Sequence, residues 1–547
     1  MAKLTFEELD KLRDEYRAQR AQRSWIRVGT STCGIAAGAE AVYRTIVDEV
    51  RRRDLDIDVQ RVGCVGMCYA EPLVEVNVQG APRTMYSEVG TEAAERIVAE
   101  HVVNGNPIPG LAIPGIETLG YEDDGLAARQ GKQVRIVLRN CGLIDPTKIE
   151  DSIARGGYQG LKRALFDLRE EGVLEEMKAS GLRGRGGAGY PTWLKWKSLR
   201  EAHGPEKYMI CNADEGDPGA YMDRSVLEGD PHTVIEGMLI ACFATGTSRG
   251  YLYIRAEYPL AIDRIETALR QARRMGLIGK NILGTEFSCD LEVRLGAGAF
   301  VCGEETALMH SIEGKRGTPR PRPPFPAQSG LWGNPTNINN VETFANVAPI
   351  IVRGGEWFAQ WGSGKSFGTK VFAVTGKVRH SGLVEIPMGT TLREIVVDIC
   401  GGVPAGHRIK AVQTGGPSGG VIPSELLDTP VSYEGLQELG SIMGSGGMIV
   451  MDESDSMIDI VKFYTDFCVE ESCGKCAPCR IGGKQMCLLL EKIQSGKGTW
   501  ADVDTMKRVC LAMQKASLCG LGQTAPNPVL STLRYFEDEY RALLGAR

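Results

Sequence analysis

Cys473, Cys476 and Cys479 stand at two-residue intervals in E-E-S-C-G-K-C-A-P-C-R, residues 470–480. Gly474 and Pro478 bend the chain between them, so three thiolates can cap one face of a metal centre. The rhythm suits a [4Fe–4S] cluster, which needs a fourth thiolate from elsewhere. A structural zinc would take the same ligands, and spacing alone leaves both readings open. Cys468, Cys487 and Cys510 fall in helical apolar stretches, where a buried free thiol is the ordinary outcome. Cys519, in the glycine turn S-L-C-G-L-G, is the best-placed fourth ligand.

A second set lies near the other end. Cys33 occurs in S-T-C-G-I-A-A-G-A, and Cys64 and Cys68 in G-C-V-G-M-C-Y-A-E-P. A C-x3-C pair with a third thiolate upstream suggests a [2Fe–2S] site, which wants four ligands. Ser31, Thr32 or an outside group would complete it, or the site is empty.

Between the two sets runs G-L-R-G-R-G-G-A-G-Y-P-T, residues 181–192. Gly184, Gly186 and Gly189 match G-x-G-x-x-G, but that fingerprint needs a strand just before it, and residues 170–179 read as helix. The physics survives without the fingerprint. Clustered glycines let backbone N–H groups approach a phosphate or a ring, and Arg183 and Arg185 add positive charge. Asp214, Glu215 and Asp217 follow a strand at 207–211, and Glu304 and Glu305 follow a glycine turn after a strand at 291–295. Such strand ends are where open α/β sheets bind ligands. Residues 361–366, W-G-S-G-K-S, fail as a phosphate loop because position 359 is Ala rather than Gly, and they read as a surface turn.

The supporting elements divide a chain of 547 residues into several units, since one core of that size is not expected. Residues 1–23 read as a charged amphipathic helix rather than an export signal. Strand, helix, two further strands and helix over 24–104 suggest a small thioredoxin-like domain. A Pro/Gly-rich linker follows over 105–140, with a strand at 133–138. Residues 141–365 read as an α/β domain, 366–450 as a β-rich unit with strands at 371–378 and 409–414, and 451–547 as helical. A net charge of −6 gives no reason to expect nucleic acid or an anionic membrane, and no run of 18 apolar residues exists. Sixteen cysteines without an export signal favour metal ligands and buried thiols in a cytoplasmic protein.

G-L-R-G-R-G-G-A-G-Y-P-T, N-A-D-E-G-D-P-G, V-C-G-E-E-T-A-L and S-C-G-K-C-A-P-C-R-I-G together resemble the NADH-binding flavoprotein subunit of respiratory complex I, over residues 140–547. The domain in front looks like that of beta subunits of soluble NAD-linked complexes, such as multimeric iron–iron hydrogenases and NAD-dependent formate dehydrogenases. The resemblance implies an α/β multidomain fold: thioredoxin-like domain, Rossmann-like FMN/NADH-binding domain, ubiquitin-like β-grasp (SLBB) domain, and a C-terminal four-helix bundle carrying an iron–sulfur cluster.

It further implies FMN held by Gly184, Arg185, Gly186, Gly187 and Ala188, with Lys195, Asn212, Asp214, Glu215, Gly303, Glu304, Glu305, Asn339 and Asn340 around it. Glu304 and Glu305 would be the catalytic carboxylates. NADH would stack over the flavin with its adenine near Tyr190 and Phe325, and with Asp217 and Arg322 nearby. The family often has Phe, Glu and Lys at positions 190, 217 and 322, so aromaticity and charge are kept. An acidic 214–217 loop near the ribose would disfavour NADP. Cys473, Cys476, Cys479 and Cys519 would hold the [4Fe–4S] cluster, and Cys33, Cys64 and Cys68 the [2Fe–2S] site.

The activity implied is exchange of a hydride between NAD(H) and FMN, with single electrons relayed to partners in a soluble hetero-oligomer. Those partners would be a small thioredoxin-like [2Fe–2S] subunit, a cluster-rich hydrogenase or formate dehydrogenase subunit, and ferredoxin where the complex bifurcates electrons. A reading of another class, a zinc-stabilised scaffold without redox function, stands against it.

Overall fold

The computed structural model describes residues 4–21, 23–113 and 128–545. Four parallel strands carry the site, in the order Thr336–Asn340, Tyr208–Ala213, Arg249–Arg255, Asp290–Gly296. Tyr208–Ala213 is buried almost throughout, as a parallel strand covered on both faces should be. The helix Pro231–Thr245 lies behind the sheet with every residue but Phe243 buried. Asp230 starts it by accepting the Thr233 N–H, Pro231 sits where a missing N–H costs nothing, and Gly246 at φ +70° ends it. Because the strands are parallel, their carboxyl ends share one edge, and the acidic loops leave from there. Thr336–Asn340 escapes a hydrophobicity reading: T-N-I-N-N is polar.

The amino-terminal unit has its own four-stranded sheet, ordered Asp58–Val62, Trp25–Gly29, Val74–Asn77, Thr84–Tyr86, with only the first pair parallel. The leading helix Phe6–Ala21 does not belong to it. Leu9 is buried in the core of the large α/β unit, the Leu4 N–H donates to the Met275 carbonyl, and Arg20 pairs with Asp151 at 2.5 Å. The helix thus packs on the large α/β unit. The expected linker is also partly structural. Ile113 N–H bonds the Met85 carbonyl, and Val134, Ile136, Val137 and Leu138 sit in the large core; residues 114–127 of that linker lie outside the described residues. The strand expected at 133–138 stops at Arg135 because the N–H groups of Ile136, Val137 and Leu138 turn to the buried Glu385 carboxylate, each at 2.9 Å.

Next comes a five-stranded sheet, ordered Gly382–Pro387, Thr369–Gly376, Gly447–Asp452, Ile409–Thr414, Val421–Pro423, with the second and third strands parallel. Residues 361–367 form a tight hairpin in front of it, a turn as read. Lys370 and Glu342 make a fully buried ion pair between this sheet and the α/β unit, and the lysine also donates to the Val371 and Ser445 carbonyls.

Three long helices follow, Met457–Glu470, Ala477–Gln494 and Trp500–Ala516. The fourth side of the expected bundle is not one helix but two, Asn527–Tyr535 and Glu537–Leu544, broken at Phe536. Cys468, Cys487 and Cys510 are buried free thiols, as expected.

Candidate functional site

The glycine loop is a closed cradle. Gly184 N–H bonds the Tyr190 carbonyl and Thr192 N–H bonds Leu182, 2.9 and 3.0 Å. Gly189, at φ +62°, lies so close to the Tyr433 ring that a Cβ would sit 2.6 Å away. Arg185 is fully buried, its guanidinium spent on the carbonyls of Arg183, Phe367 and Thr369. Arg183 lines the cleft, but its charge is taken by Glu434 at 2.6 Å. The positive charge expected of both arginines therefore shapes the loop. What Gly186, Gly187 and Ala188 present to the cleft is chiefly backbone.

That first cleft, about 780 Å³, opens at the carboxyl edge of the sheet and is closed opposite by residues 415–445. Asn212 accepts the Asp214 N–H and donates to the Gly303 carbonyl, fixing two strand-end loops together. Asp214 is the anomaly: both carboxylate oxygens are buried, and neither finds a hydrogen-bond donor among the described residues. Its nearest cation is Arg255, 3.9 Å away, and burial pushes its pKa up to about 7. Buried polar groups are normally paired, so this carboxylate is built for a donor the protein does not itself supply.

The neighbouring acids are satisfied. Glu215 accepts from the Asp223 and Arg224 N–H groups, and burial raises its pKa. Glu304 caps the helix Glu305–Ile312, accepting from the N–H groups of Thr306 and Ala307 and from the Thr306 hydroxyl. It positions a loop, and its geometry gives no support to the catalytic role expected of it. Asn340 caps Val341–Ala345 and donates to Asp223, while Asn339 is buried and accepts from the Trp196 indole at 2.9 Å.

A second cleft, about 800 Å³, meets the first at Ala188. Tyr190 and Phe325 stand at it, each 54% exposed. Glu305 accepts from Arg322 at 2.7 Å and from Lys195 at 3.4 Å, and Lys195 also donates to the Ile338 carbonyl. Asp217, expected beside Arg322, is not here. It faces the first cleft, where it accepts from the Ser445 hydroxyl at 2.6 Å and burial pushes its pKa up to about 6. The acidic loop thus lies away from Tyr190 and Phe325 and gives no ground against NADP. Asn337 escapes a sequence reading: its amide is buried, lines this cleft and has no partner among the described residues. The unexplained asparagines of T-N-I-N-N are the available signal.

Cys473, Cys476, Cys479 and Cys519 line one cavity with Val301, Pro319 and Leu521. Cys476 and Cys519 each stand immediately before a helix, and the Ser472 hydroxyl is 3.3 Å from the Cys479 sulfur. A tetrahedral zinc with Zn–S bonds near 2.3 Å would draw its sulfurs to about 3.8 Å of one another. Among the described residues no three cysteine sulfurs lie within 4.8 Å of one another, so these thiols are not drawn together as tightly as a single zinc would hold them. Val301 and Leu521 line both this cavity and the first cleft.

In the amino-terminal set, the Cys64 and Cys68 sulfurs are 3.7 Å apart, the edge expected for two thiolates on one tetrahedral iron. Cys33 lies beside Cys68 and 3.7 Å from the Arg224 guanidinium. Thr32 does not complete the set, because its hydroxyl and N–H are both held by Glu228, at 2.5 and 2.9 Å. The loop itself is docked on the five-stranded sheet, with Leu383 N–H bonding Gly66 and Tyr69 N–H bonding Ser381.

Known proteins match this arrangement in order. Residues 177–349 match the Nuo51 FMN-binding domain and residues 459–543 the NADH-ubiquinone oxidoreductase-F iron-sulfur binding region. The chain is 56% identical over 411 residues to the NADP-reducing hydrogenase subunit HndC of Solidesulfovibrio fructosivorans, covering 75% of this chain and 84% of that one. It is 42% identical to an F-type NADH-quinone oxidoreductase subunit of Rhizobium meliloti, covering 75% and 98%. A crystal structure of an NAD+-reducing [NiFe]-hydrogenase in the H2-reduced state superposes with a TM-score of 0.67 at 29% identity, covering 99% of this chain and 90% of that one.

Proposed function

The chain belongs to the family of F-type NADH-quinone oxidoreductase subunits and their hydrogenase counterparts, and on that premise we propose that it is the electron-input subunit of a soluble hydrogenase-type complex. It is an NAD(P)H-dependent oxidoreductase using FMN and a [4Fe–4S] cluster. The observation that carries the proposal is the shared wall: one layer of side chains, Val301 and Leu521, separates the flavin-sized cleft from the four-cysteine cavity.

Bound in the first cleft, FMN supplies the change from two-electron exchange with a nicotinamide to one-electron exchange with an iron–sulfur centre. The protein's part is placement and charge. Backbone at Gly186, Gly187 and Ala188 receives the cofactor, and the unpaired Asp214 carboxylate accepts from it. Asn212 and the Glu304 cap hold those loops still. The nucleotide enters by the second cleft, between Tyr190 and Phe325, where Lys195, Glu305 and Arg322 set the local charge. Cys473, Cys476, Cys479 and Cys519 hold the [4Fe–4S] cluster behind Val301.

The sheet order of residues 24–104 supports a thioredoxin-like domain, and the 3.7 Å sulfur pair supports a [2Fe–2S] cluster within it. The parallel central pair of the five-stranded sheet supports the β-grasp reading. The names of the relatives support a hydrogenase as catalytic partner; an iron–iron enzyme, a small thioredoxin-like [2Fe–2S] subunit, electron bifurcation with ferredoxin and a cytoplasmic location complete the proposal. Cofactor analysis tests it. Anaerobically purified protein should contain FMN and iron, and NADH should bleach both flavin and iron–sulfur absorption. Colourless protein holding zinc would overturn it.

A further inference from the structure

Three asparagines stand in the strand Thr336–Asn340, and the protein itself satisfies two of them. Asn340 caps a helix and donates to Asp223, and Asn339 accepts from the Trp196 indole. Asn337 is 1% exposed and lines the second cleft, yet neither its amide oxygen nor its amide nitrogen has a hydrogen-bond partner among the described residues. We propose that Asn337 reads the adenine base of the dinucleotide, its Oδ1 accepting from the exocyclic N6 amino group and its Nδ2 donating to a ring nitrogen beside it. The inference rests on the reading of the second cleft as the nucleotide's way in.

Position along the strand selects the base over the nicotinamide. Asn340 lines the first cleft and Asn337 the second, three residues or about 10 Å of strand away. The nicotinamide has to meet the flavin in the first cleft, so what reaches Asn337 is a more distant part of the same molecule. An amide offers one acceptor and one donor side by side, and the adenine edge presents the complementary pair. A planar base also needs a face to lie on. The Thr336 N–H donates to the Pro326 carbonyl at 2.9 Å, which fastens the loop carrying Phe325 to Asn337's end of the strand. Phe325 and Tyr190 are both half-exposed at this cleft, as stacking partners for a base should be.

The other polar residues of the cleft do not compete for this role. Ser198, Glu201 and His203 are exposed, so water satisfies them with or without a ligand, and the Gln328 oxygen is taken by the Phe325 N–H at 3.0 Å. A buried amide with both groups unmade carries a desolvation cost that a ligand recovers. With nothing bonded to it, the Asn337 side chain is free to turn towards that ligand. NAD and NADP share the base, so the contact serves either.

Reduction of the flavin in FMN-loaded full chain by NADH, 1,N6-etheno-NADH and reduced nicotinamide mononucleotide tests this. The etheno bridge removes the N6–H donor, and the mononucleotide has no adenine. Wild-type kcat/KM should be roughly 10–100-fold lower for etheno-NADH than for NADH. Asn337→Leu should bring NADH down to the etheno-NADH value, chiefly through KM, and leave the mononucleotide unchanged. Leucine fills a similar volume without polar atoms, so the nucleotide-free variant should melt no lower than wild type. If it does melt lower, Asn337→Ser, too short to make the pair, must give the same loss for NADH alone or the proposal falls. An unchanged KM for NADH would overturn it, as would an equal loss with the mononucleotide. So would an etheno-NADH deficit that persists in Asn337→Leu, which marks a steric clash in place of a lost hydrogen bond. Wild-type flavin that neither NADH nor NADPH reduces is a different result, the failure of the oxidoreductase reading itself.

Discussion

The two cysteine sites are opposites in construction. At the carboxyl end, four thiolates from one helical region line a single cavity, and three of them come from one turn of sequence. At the amino end, three thiolates from two loops lean on Tyr221 and Arg224 of a neighbouring unit, and Glu228 of that unit holds Thr32 beside them. The first site is complete in its own segment and shares its wall with the flavin cleft. The second has its three thiolates in the amino-terminal unit and packs them against the α/β unit. A self-contained centre suits an obligatory step in electron flow, while a centre built across a junction reports on, and depends on, how the units are seated.

The sharpest way to break that contrast is to remove one thiolate from each site. Cys519→Ala should cut NADH-driven electron delivery by more than the roughly 10–100-fold typical of losing a group that only supports a metal ligand, while NADH still bleaches the flavin. Cys64→Ala should leave reduction of the carboxyl-terminal cluster unchanged; equal losses in stopped-flow traces of the two variants would erase the distinction. The joints come next. Glu342→Gln leaves Lys370 buried without its partner and should cost about 3–5 kcal/mol in denaturant unfolding. The solvent-screened Lys377–Asp452 pair, broken by Lys377→Met, should move the unfolding midpoint far less.

Smaller effects probe the flavin cleft. The folded-state pKa of Asp214, about 7, is above its unfolded value, so its neutral form is the one the fold favours. The stability cost of ionising it is absent below the unfolded pKa, grows as pH rises and is complete above about 7, on the order of a few kcal/mol. FMN-free protein should therefore melt at lower temperature at pH 7.5 than at pH 5 in excess of the Asp214→Asn variant; identical slopes would show that the carboxylate does not matter. Glu305→Gln releases Lys195 and Arg322 from their carboxylate and should raise the flavin potential by roughly 30 mV, a tenfold change for a two-electron couple. An unchanged potential in a redox titration would show that Glu305 does not tune the flavin.

How much of this is legible in the sequence depends on distance along the chain. The cysteine triplet, Cys519 and the glycine cradle are readable because their chemistry is written in local spacing. Directions are not. Nothing in G-L-R-G-R-G-G says that Arg185 points into the scaffold, because the carbonyls that receive it lie at 367 and 369. Asp217 is expected in the wrong cleft for the same reason: Ser445, its partner, is 228 residues away. Thr336–Asn340 goes unread because a strand that supplies polar groups to a site lacks the apolar signature of strands. The leading helix is recognisable but its docking is not, since a charged amphipathic surface does not name its neighbour.

Electrons should pass from the flavin cleft through the Val301–Leu521 wall to the four-cysteine centre, and the whole functional reading turns on that route. Anaerobic rapid mixing of the full chain with NADH, following flavin and iron–sulfur absorption together, tests it directly. Cluster bleaching should keep pace with flavin bleaching in the wild type and vanish in Cys519→Ala. Flavin that bleaches while the iron–sulfur band of wild-type protein stays oxidised would contradict it.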